Sequence, residues 1–207
     1  MRITHLGHAC LLVETADARI LFDPGTESSG FESLSGLSAV LITHEHPDHL
    51  DLDRLPALLA ANPTAIVVVP AELAATVPGS RAAAPGDRFD LGGTSVEVLG
   101  GAHAFVYGSV PQMANLAYLV DGGAFFHPGD SFEVPAMPVD VLALATSGPW
   151  LKVADSIDFV TAVAPRIAIP MHEALLADTT TAYELIGAFA PEGTTLQQLE
   201  RGVATEV

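Results

Sequence analysis

Five residues of types that commonly bind metal ions are concentrated in one short segment, His44-Glu45-His46-Pro47-Asp48-His49. The segment directly follows a predicted buried strand, whose end would present His44 and His46 on one side of a tight loop. The residues after Pro47 would then present Asp48 and His49 to a neighbouring point. Imidazole nitrogens and carboxylate oxygens are common ligands of zinc and similar divalent ions. The segment therefore predicts a site for two adjacent metal ions rather than a chance cluster of histidines.

Three further candidate ligands follow predicted strands elsewhere in the chain. His103 comes after two glycines that permit a close backbone approach. Asp130 follows a strand predicted at Ala124–His127, and His172 follows one predicted at Arg166–Ile169. Each residue alone is weak evidence, but all three lie shortly beyond a strand, where open α/β sheets place their binding sites.

The elements that would position these residues form a mixed α/β pattern. Strands are predicted at Arg2–His5, Cys10–Glu14, Arg19–Phe22, Ala39–Thr43, Ala65–Val69, Arg88–Leu91, Thr94–Leu99, Asn115–Val120, Ala124–His127, Val141–Ala145 and Arg166–Ile169, with a last strand within Thr194–Glu200. Helices are predicted from about Asp48 to Ala61, near Ala71–Thr76, at Asp155–Ala164, and from a capping box at Thr181 and Glu184 to about Ala190. Strands followed by strand–helix units in both halves favour two facing sheets with helices outside. Hydrophobic periodicity by itself predicts only a mixed α/β class.

The order His-x-His-x-Asp-His, followed by His103, Asp130 and His172, resembles the ligand pattern of the metallo-β-lactamase superfamily over nearly the whole chain. The opening strands and Asp23-Pro24 are also similar to that superfamily. The stretches Leu6-Gly7-His8-Ala9 and His127-Pro128-Gly129-Asp130 are most similar to its ascorbate-6-phosphate lactonase-like branch. The resemblance implies an α/β fold, a four-layer αββα sandwich formed by a single domain of residues 1–207, with the site along one edge.

The resemblance also assigns the ligands residue by residue. The first metal ion would be bound by His44, His46 and His103, the second by Asp48, His49 and His172, and Asp130 would bridge both.

This ligand set implies a hydrolase in which two divalent ions share a hydroxide that attacks a small-molecule lactone, ester or phosphoester. Asp48 would be catalytic, because it would orient the hydroxide as well as bind metal. Zinc is the first expectation, and manganese and iron accept the same ligands. One alternative is a diiron redox protein, which typically has an acidic residue in place of a histidine such as His46 and a fused flavin domain. The other is a non-catalytic binding protein, which would be expected to have lost ligands.

Five further residues are candidates for supporting the metal ligands or the substrate. His8 and Asp23 are candidates for hydrogen bonds to metal-bound side chains, although His8 is also expected as a buried core histidine. Trp150 and Lys152 lie in a loop after a predicted strand, where Lys152 would attract an anionic substrate unless it is simply solvated. Tyr107 lies in a predicted loop after His103 and would line the pocket.

Composition excludes several classes of partner. The chain has 8 Lys and Arg against 25 Asp and Glu, a formal net charge of −17, so it lacks the basic face of a nucleic-acid-binding protein. No apolar stretch approaches the roughly 20 residues of a membrane span, and the first residues do not resemble a signal peptide, so a cytoplasmic location without membrane binding is expected. The single cysteine, Cys10, is expected to be a buried structural thiol. A small-molecule substrate is the expected partner, and the oligomeric state is left open.

Overall fold

The computed structural model describes residues 1–207, and its fourteen strands form two mixed sheets of seven strands each. The first sheet contains β1 (Arg2–His5), β2 (Leu11–Glu14), β3 (Arg19–Phe22), β4 (Ala39–Leu41), β5 (Ile66–Pro70), β6 (Arg81–Ala83) and β14 (Thr205–Glu206), in the order β14-β1-β2-β3-β4-β5-β6. The second contains β7 (Arg88–Asp90), β8 (Ser95–Gly100), β9 (Leu116–Val120), β10 (Phe125–His127), β11 (Val141–Ala145), β12 (Ile167–Met171) and β13 (Thr195–Leu196), in the order β13-β12-β11-β10-β9-β8-β7.

The central strands are apolar on both faces, which explains why they read as continuous hydrophobic runs. In β2, Leu11 and Val13 join the core between the sheets, whereas Leu12 joins a second core on the outer face. In β9, Tyr118 faces the other sheet and Leu119 faces outward. Because successive side chains of a strand alternate between faces, such strands must be covered on both sides.

Three helices cover the outer faces of the sheets: α1 (Leu55–Ala61), α2 (Val153–Val163) and α3 (Thr180–Phe189). Helix α1 packs on the first sheet through Leu58, while α2 and α3 pack on the second through Val160 and Ile186. The arrangement is the predicted four-layer αββα sandwich, which is confirmed. None of the three helices combines the length and the apolar character that crossing a membrane would require.

Strand direction brings the functional loops to one edge. Strands β1, β3 and β4 run in the same direction in the first sheet, and β8, β10, β11 and β12 do so in the second. The segments after the carboxyl ends of these strands contain His8, Asp23, His44–His49, His103, Asp130, Trp150 and His172. The fold therefore brings residues that are far apart in sequence to a single edge of the sandwich.

The structure corrects the predicted start of the first long helix. Residues 48–54 form turns, and α1 begins only at Leu55. The side chain of Asp51, not Asp48, accepts the backbone N–H groups of Asp53 and Arg54 that a helix cap would satisfy. Asp48 is free of the helix and points toward the site, so the residue that resembled a helix start has a different role.

Other differences lie in turns and at sheet edges. The capping box at Thr181 is wrong, because the carboxylate of Asp178 accepts the N–H and hydroxyl of Thr180 at the start of α3. The predicted strands Arg88–Leu91 and Thr94–Leu99 would leave a loop of two residues between them. In the structure Asp90 pairs with Ser95, so the loop has four residues. The short edge strands β6 and β14 were not predicted, because their stability comes from the neighbouring strand and not from an apolar pattern of their own.

Candidate metal centre

The segment His44–His49 forms a tight loop directly after β4. Its bend is closed by the N–H of His49, which donates to the carbonyl of His46 at 2.9 Å. Gly25 packs against the loop so closely that a Cβ atom there would lie 1.8 Å from the carbonyl oxygen of Asp48. Only glycine permits this approach, so the segment Asp23-Pro24-Gly25 packs directly against the backbone of the loop.

The predicted ligand side chains converge in two groups. Within each group, one potential ligand atom per residue lies within 4.8 Å of the others. The first group consists of His44, His46, His103 and Asp130, and the second of His8, Asp48, His49 and His172. All seven residues predicted as ligands are therefore brought together, and the structure adds His8 beside the second group.

Asp130 lies between the two groups. Its Oδ2 atom is 3.4 Å from Nε2 of His103 and 3.3 Å from Nε2 of His172, and its Oδ1 atom is 3.2 Å from Nε2 of His49. One carboxylate thus reaches histidines of both groups, which is the position that a bridging ligand requires.

Hydrogen bonds orient three of the histidines through their Nδ1 atoms. His49 donates to Asp23 Oδ2 at 2.7 Å, and His103 donates to the carbonyl of Ala104 at 2.7 Å. The hydroxyl of Thr43 donates to Asp23 and so accepts from Nδ1 of His44 at 3.0 Å. When these rings are neutral, the single proton of each lies on Nδ1, and each Nε2 atom keeps a lone pair directed at the centre.

Several buried polar atoms of the centre have no hydrogen-bond partner. They are His49 Nε2, His103 Nε2, Asp130 Oδ1 and both ring nitrogens of His172. Unpaired buried polar atoms are rare and cost about 1–3 kcal/mol each, so such a concentration requires an explanation. Imidazole nitrogens and a carboxylate oxygen are the donor set of divalent metal ions, and the residues present fit such ions.

The three histidines that were not predicted as metal ligands form other hydrogen bonds through their ring nitrogens. Nδ1 of His8 accepts the N–H of Ala174 at 3.3 Å, so its Nε2–H donates to Asp48 Oδ2 at 2.9 Å. His127 donates to the carbonyl of Ala9 and accepts the N–H of Gly129. His5 donates to the carbonyl of His8. His5 and His127 are thus held by backbone groups, away from the centre.

The backbone is strained at the same place. Five residues other than glycine have a positive φ, and three of them belong to this site: His8 at 54°, Asp23 at 44° and His172 at 65°. Left-handed conformations of such residues cost roughly 1–3 kcal/mol each and persist only where surrounding contacts enforce them. Here the N–H of His172 donates to the carbonyl of His8 at 3.1 Å, which ties two of these residues together.

Charges within the cluster shift the pKa values of its carboxylates downward. Burial alone would raise the pKa of Asp130, but the charge of His49 and the close imidazoles of His103 and His172 hold it well below its usual range. Burial would likewise raise the pKa of Asp48, but the hydrogen bond from His8 and the nearby His49 lower it. Burial lowers the pKa of His44 well below its ordinary value. Both carboxylates are therefore ionised at neutral pH, and His44 is neutral.

Comparison with known proteins agrees with this geometry. A family model described as a beta-lactamase superfamily domain matches residues 2–172. The chain belongs to the metallo-β-lactamase superfamily. It is 45% identical over 182 residues to Protein Rv0786c of Mycobacterium tuberculosis, with 86% of each chain covered. It is 30% identical over 202 residues to a UPF0173 metal-dependent hydrolase of Opitutus terrae, covering 83% of this chain and 84% of the relative.

A solved structure shows the same fold. The metallo-beta-lactamase fold protein YhfI from Bacillus subtilis superposes with a TM-score of 0.76 at 12% identity, covering 99% of this chain and 98% of that chain. The expectation drawn from the ligand pattern, a metallo-β-lactamase superfamily member with an αββα sandwich, is thereby confirmed.

Trp150 packs against the candidate metal centre. Its indole Nε1–H donates to Asp130 Oδ2 at 3.0 Å. The ring centroid lies 5.7 Å from that of His103 and 6.0 Å from that of His172. The tryptophan thus contacts the central carboxylate and lies beside a histidine of each group.

Tyr107 and Lys152 are placed differently from the other candidates. The side chain of Tyr107 is 78% exposed, and a small cavity beside His46 and His103 is lined by Phe105 and Val106 instead. Lys152 is exposed just before α2, where its backbone N–H donates to Asp155. Its ammonium group has no ion-pair partner, as expected for a solvated lysine.

Two supporting residues were not identified from the sequence. Thr43 connects Asp23 to His44, and its backbone N–H also donates to Asp23 at 2.8 Å. The side chain of Asn115 accepts the N–H of Asp130 at 3.0 Å and donates to the carbonyl of Pro128, which fixes the turn that presents Asp130. The sequence signal that could have identified them is a polar residue at the end of a buried strand. Thr43 directly precedes the ligand His44, and Asn115 directly precedes strand β9.

Proposed function

We propose that this chain is a metal-dependent hydrolase that holds two divalent metal ions and cleaves a small-molecule ester, lactone or phosphoester. The observation that carries the proposal is the set of buried, unpaired nitrogen and oxygen atoms arranged in two groups around Asp130. The name of the Opitutus terrae relative, a metal-dependent hydrolase, supports the same reaction class.

His44, His46 and His103 would hold one ion, Asp48, His49 and His172 the other, and Asp130 both. Two divalent ions bound there would lower the pKa of a water molecule toward neutrality and polarise the scissile carbonyl or phosphoryl group.

The chain's own residues orient this machinery. Asp23 accepts hydrogen bonds from His49 and, through the hydroxyl of Thr43, positions His44. One buried carboxylate therefore fixes a histidine of each group. Trp150 holds the Oδ2 atom of Asp130 by its indole N–H. Partners of this kind fix ring tautomers and carboxylate orientation, and their loss typically reduces metal affinity or activity about 10–100-fold.

Asp48 is the residue we assign to the nucleophilic water. Its Oδ2 atom accepts the Nε2–H of His8 and lies 3.6 Å from Nε2 of His172. The side chain is half-buried, so it borders both the cluster and the opening to solvent. An ionised carboxylate in this position can orient a water molecule.

The metal part of the proposal is tested by elemental analysis and calorimetric titration of metal-free protein. We expect about two equivalents of divalent metal for the wild type and weaker, incomplete binding for Asp130→Asn. Asp140→Asn is the matched control, because Asp140 is paired with Arg166 at the opposite end of β11. Binding of one equivalent or none by the wild type contradicts a dinuclear site.

The hydrolytic part is tested with metal-loaded protein and a panel of neutral esters, lactones, thioesters and phosphodiesters. Asp48→Ala should abolish turnover of whichever substrate is cleaved while circular dichroism shows an intact fold. Failure of the wild type to cleave any member of the panel, or normal kcat in Asp48→Ala, would count against the proposal.

A further inference from the structure

Exposed apolar side chains follow three of the proposed metal ligands along the chain. The segment after His103 exposes Phe105, at 63%, and Val110; the segment after Asp130 exposes Phe132 and Val134; and the one after His172 exposes Leu175. Exposed apolar side chains that cluster instead of scattering mark binding surfaces. All three segments follow proposed metal ligands, and Phe105 and Val110 also line the small cavity beside His46 and His103.

The space beside the centre is divided in two. A cavity of about 40 Å³ is lined by His46 and His103 together with Phe105 and Val106. It shares residues Val110–Met113 with an outer cleft of about 520 Å³. The inner cavity is far smaller than the outer cleft. A substrate must therefore place a small reacting group inside and the rest of its structure along the outer cleft.

The charges around the entrance disfavour anions. Glu45 and Glu72 line the outer cleft, and no lysine or arginine lines either space. Five of the seven arginines form ion pairs with acidic side chains away from the centre: Arg2, Arg19, Arg54, Arg88 and Arg166.

The two other arginines and the single lysine line neither of these spaces. Arg81 stacks on Phe89, and Arg201 donates to the carbonyl of Glu27 and the hydroxyl of Ser29. Lys152 is in solvent before α2. In a chain of net charge −17, no cationic side chain lining these spaces adds to the charge of the proposed metal ions in attracting an anionic substrate.

We infer that the substrate is a neutral carboxylic ester or lactone bearing an apolar chain, which lies along Phe105 and Val110–Met113 while its carbonyl enters the inner cavity. This inference rests on the proposed hydrolase function and defines its substrate class. The reaction adds one water molecule across the ester bond, forming a carboxylic acid and an alcohol, so it needs no other co-reactant.

The first test compares four p-nitrophenyl esters on the metal-loaded protein. The hexanoate is the neutral apolar probe, and the acetate lacks the chain. The adipate monoester has the same length with a terminal carboxylate, and the 6-aminohexanoate has a terminal ammonium. We expect kcat/KM for the hexanoate to exceed each of the others at least about tenfold, since even one methylene in an apolar pocket is worth about 10-fold or more.

Two phenylalanine variants locate the chain-binding surface. Phe105→Ala should raise KM for the hexanoate several-fold and leave the acetate unchanged. Phe189→Ala is the matched control, because Phe189 is equally exposed at 63% but lies at the end of α3, beyond the sheet edge opposite the centre. Lys152→Met should leave all four esters unaffected, whereas an anion anchor would raise KM for the adipate monoester.

Binding is measured independently of turnover through the fluorescence of Trp150, the single tryptophan. Hexanamide should produce a saturable change in metal-free and metal-loaded protein, and adipamic acid should not. Equal kcat/KM for hexanoate and acetate, preference for a charged ester, or identical behaviour of Phe105→Ala and Phe189→Ala overturns the inference and leaves the hydrolase proposal standing. Cleavage of no ester, lactone or phosphodiester at all overturns the hydrolase proposal instead.

Discussion

At the scale of single residues, the partner of Nδ1 decides whether a histidine can be a metal ligand. Where Nδ1 donates to an acceptor, as in His49 and His103, the Nε2 lone pair faces the centre. In His8 the backbone N–H of Ala174 reaches Nδ1 instead, which forces the proton onto Nε2. This assignment makes His8 a donor to Asp48 and not a ligand, although it lies within ligand distance of the second group.

Substitution of His8 tests that assignment. His8→Ala should retain two metal equivalents but lower metal affinity or kcat about 10–100-fold, because Asp48 loses the donor that orients it. His8→Gln should restore part of the loss, since its side-chain amide can donate to Asp48. Calorimetric titration and steady-state kinetics measure both effects.

The control for these variants is His5→Gln, in which an amide replaces a ring that contacts the backbone of His8 and not Asp48. It should remain near wild type in kcat and metal binding. Loss of one whole metal equivalent in His8→Ala would instead make His8 a ligand.

At this scale the sequence predicted the residues but not their orientation. The seven proposed ligands were identifiable because residue type and spacing are local properties of the chain. Which ring nitrogen of His8 carries the proton depends on Ala174, 166 positions away, and the contact of Trp150 with Asp130 depends on a loop from another strand. Such contacts exist only after the sheets have packed, and no local pattern reports them.

At the scale of elements, glycines mark where two segments must touch. The contact between Gly25 and the backbone of Asp48 leaves no room for a Cβ atom. The predicted helix start at Asp48 failed for a related reason, because tertiary contacts of the loop override local helix signals. The strands were predicted more accurately, since burial on both faces produces long apolar runs.

Replacing Gly25 by alanine should displace the metal-binding loop. We expect Gly25→Ala to lower the free energy of unfolding of the metal-free protein by at least about 3 kcal/mol, within the range of severe backbone disruption. It should also weaken metal binding, because Asp48 and His49 move. Urea denaturation and metal titration measure the two effects.

Gly187→Ala is the matched control. Gly187 lies within α3 with open space around its Cα atom, so alanine should raise the free energy of unfolding by about 0.5–1 kcal/mol through helix propensity. A Gly25→Ala protein as stable as the wild type would contradict the close packing described for the loop.

At the scale of the whole molecule, three apolar cores separate the four layers, and Cys10 lies in the core between the first sheet and α1. Burial raises the pKa of the Cys10 thiol far above its ordinary value. Because the thiolate is the reactive species, the native protein should not react with a disulfide reagent such as DTNB at pH 8.

Thiol reaction should therefore follow global unfolding and accelerate steeply with urea. A Cys10→Ser/Ser33→Cys protein provides the control, since Ser33 is exposed and a thiol there should react at once without denaturant. Rapid reaction of Cys10 in the native protein would show that the first sheet opens locally under α1.

The pairing of His8 with the segment at His172 has a consequence for when the centre can be loaded during synthesis. The His8 contacts to Glu173 and Ala174 span 165 and 166 positions and join the two sheets. Contacts of such high sequence separation form late, because long loops must close first. While only strands β1 to β6 have left the ribosome, the loop His44–His49 offers donors without Asp130 or His172. A nascent chain thus presents an incomplete and weakly selective set of ligands, and discrimination between cations belongs to the finished sandwich alone.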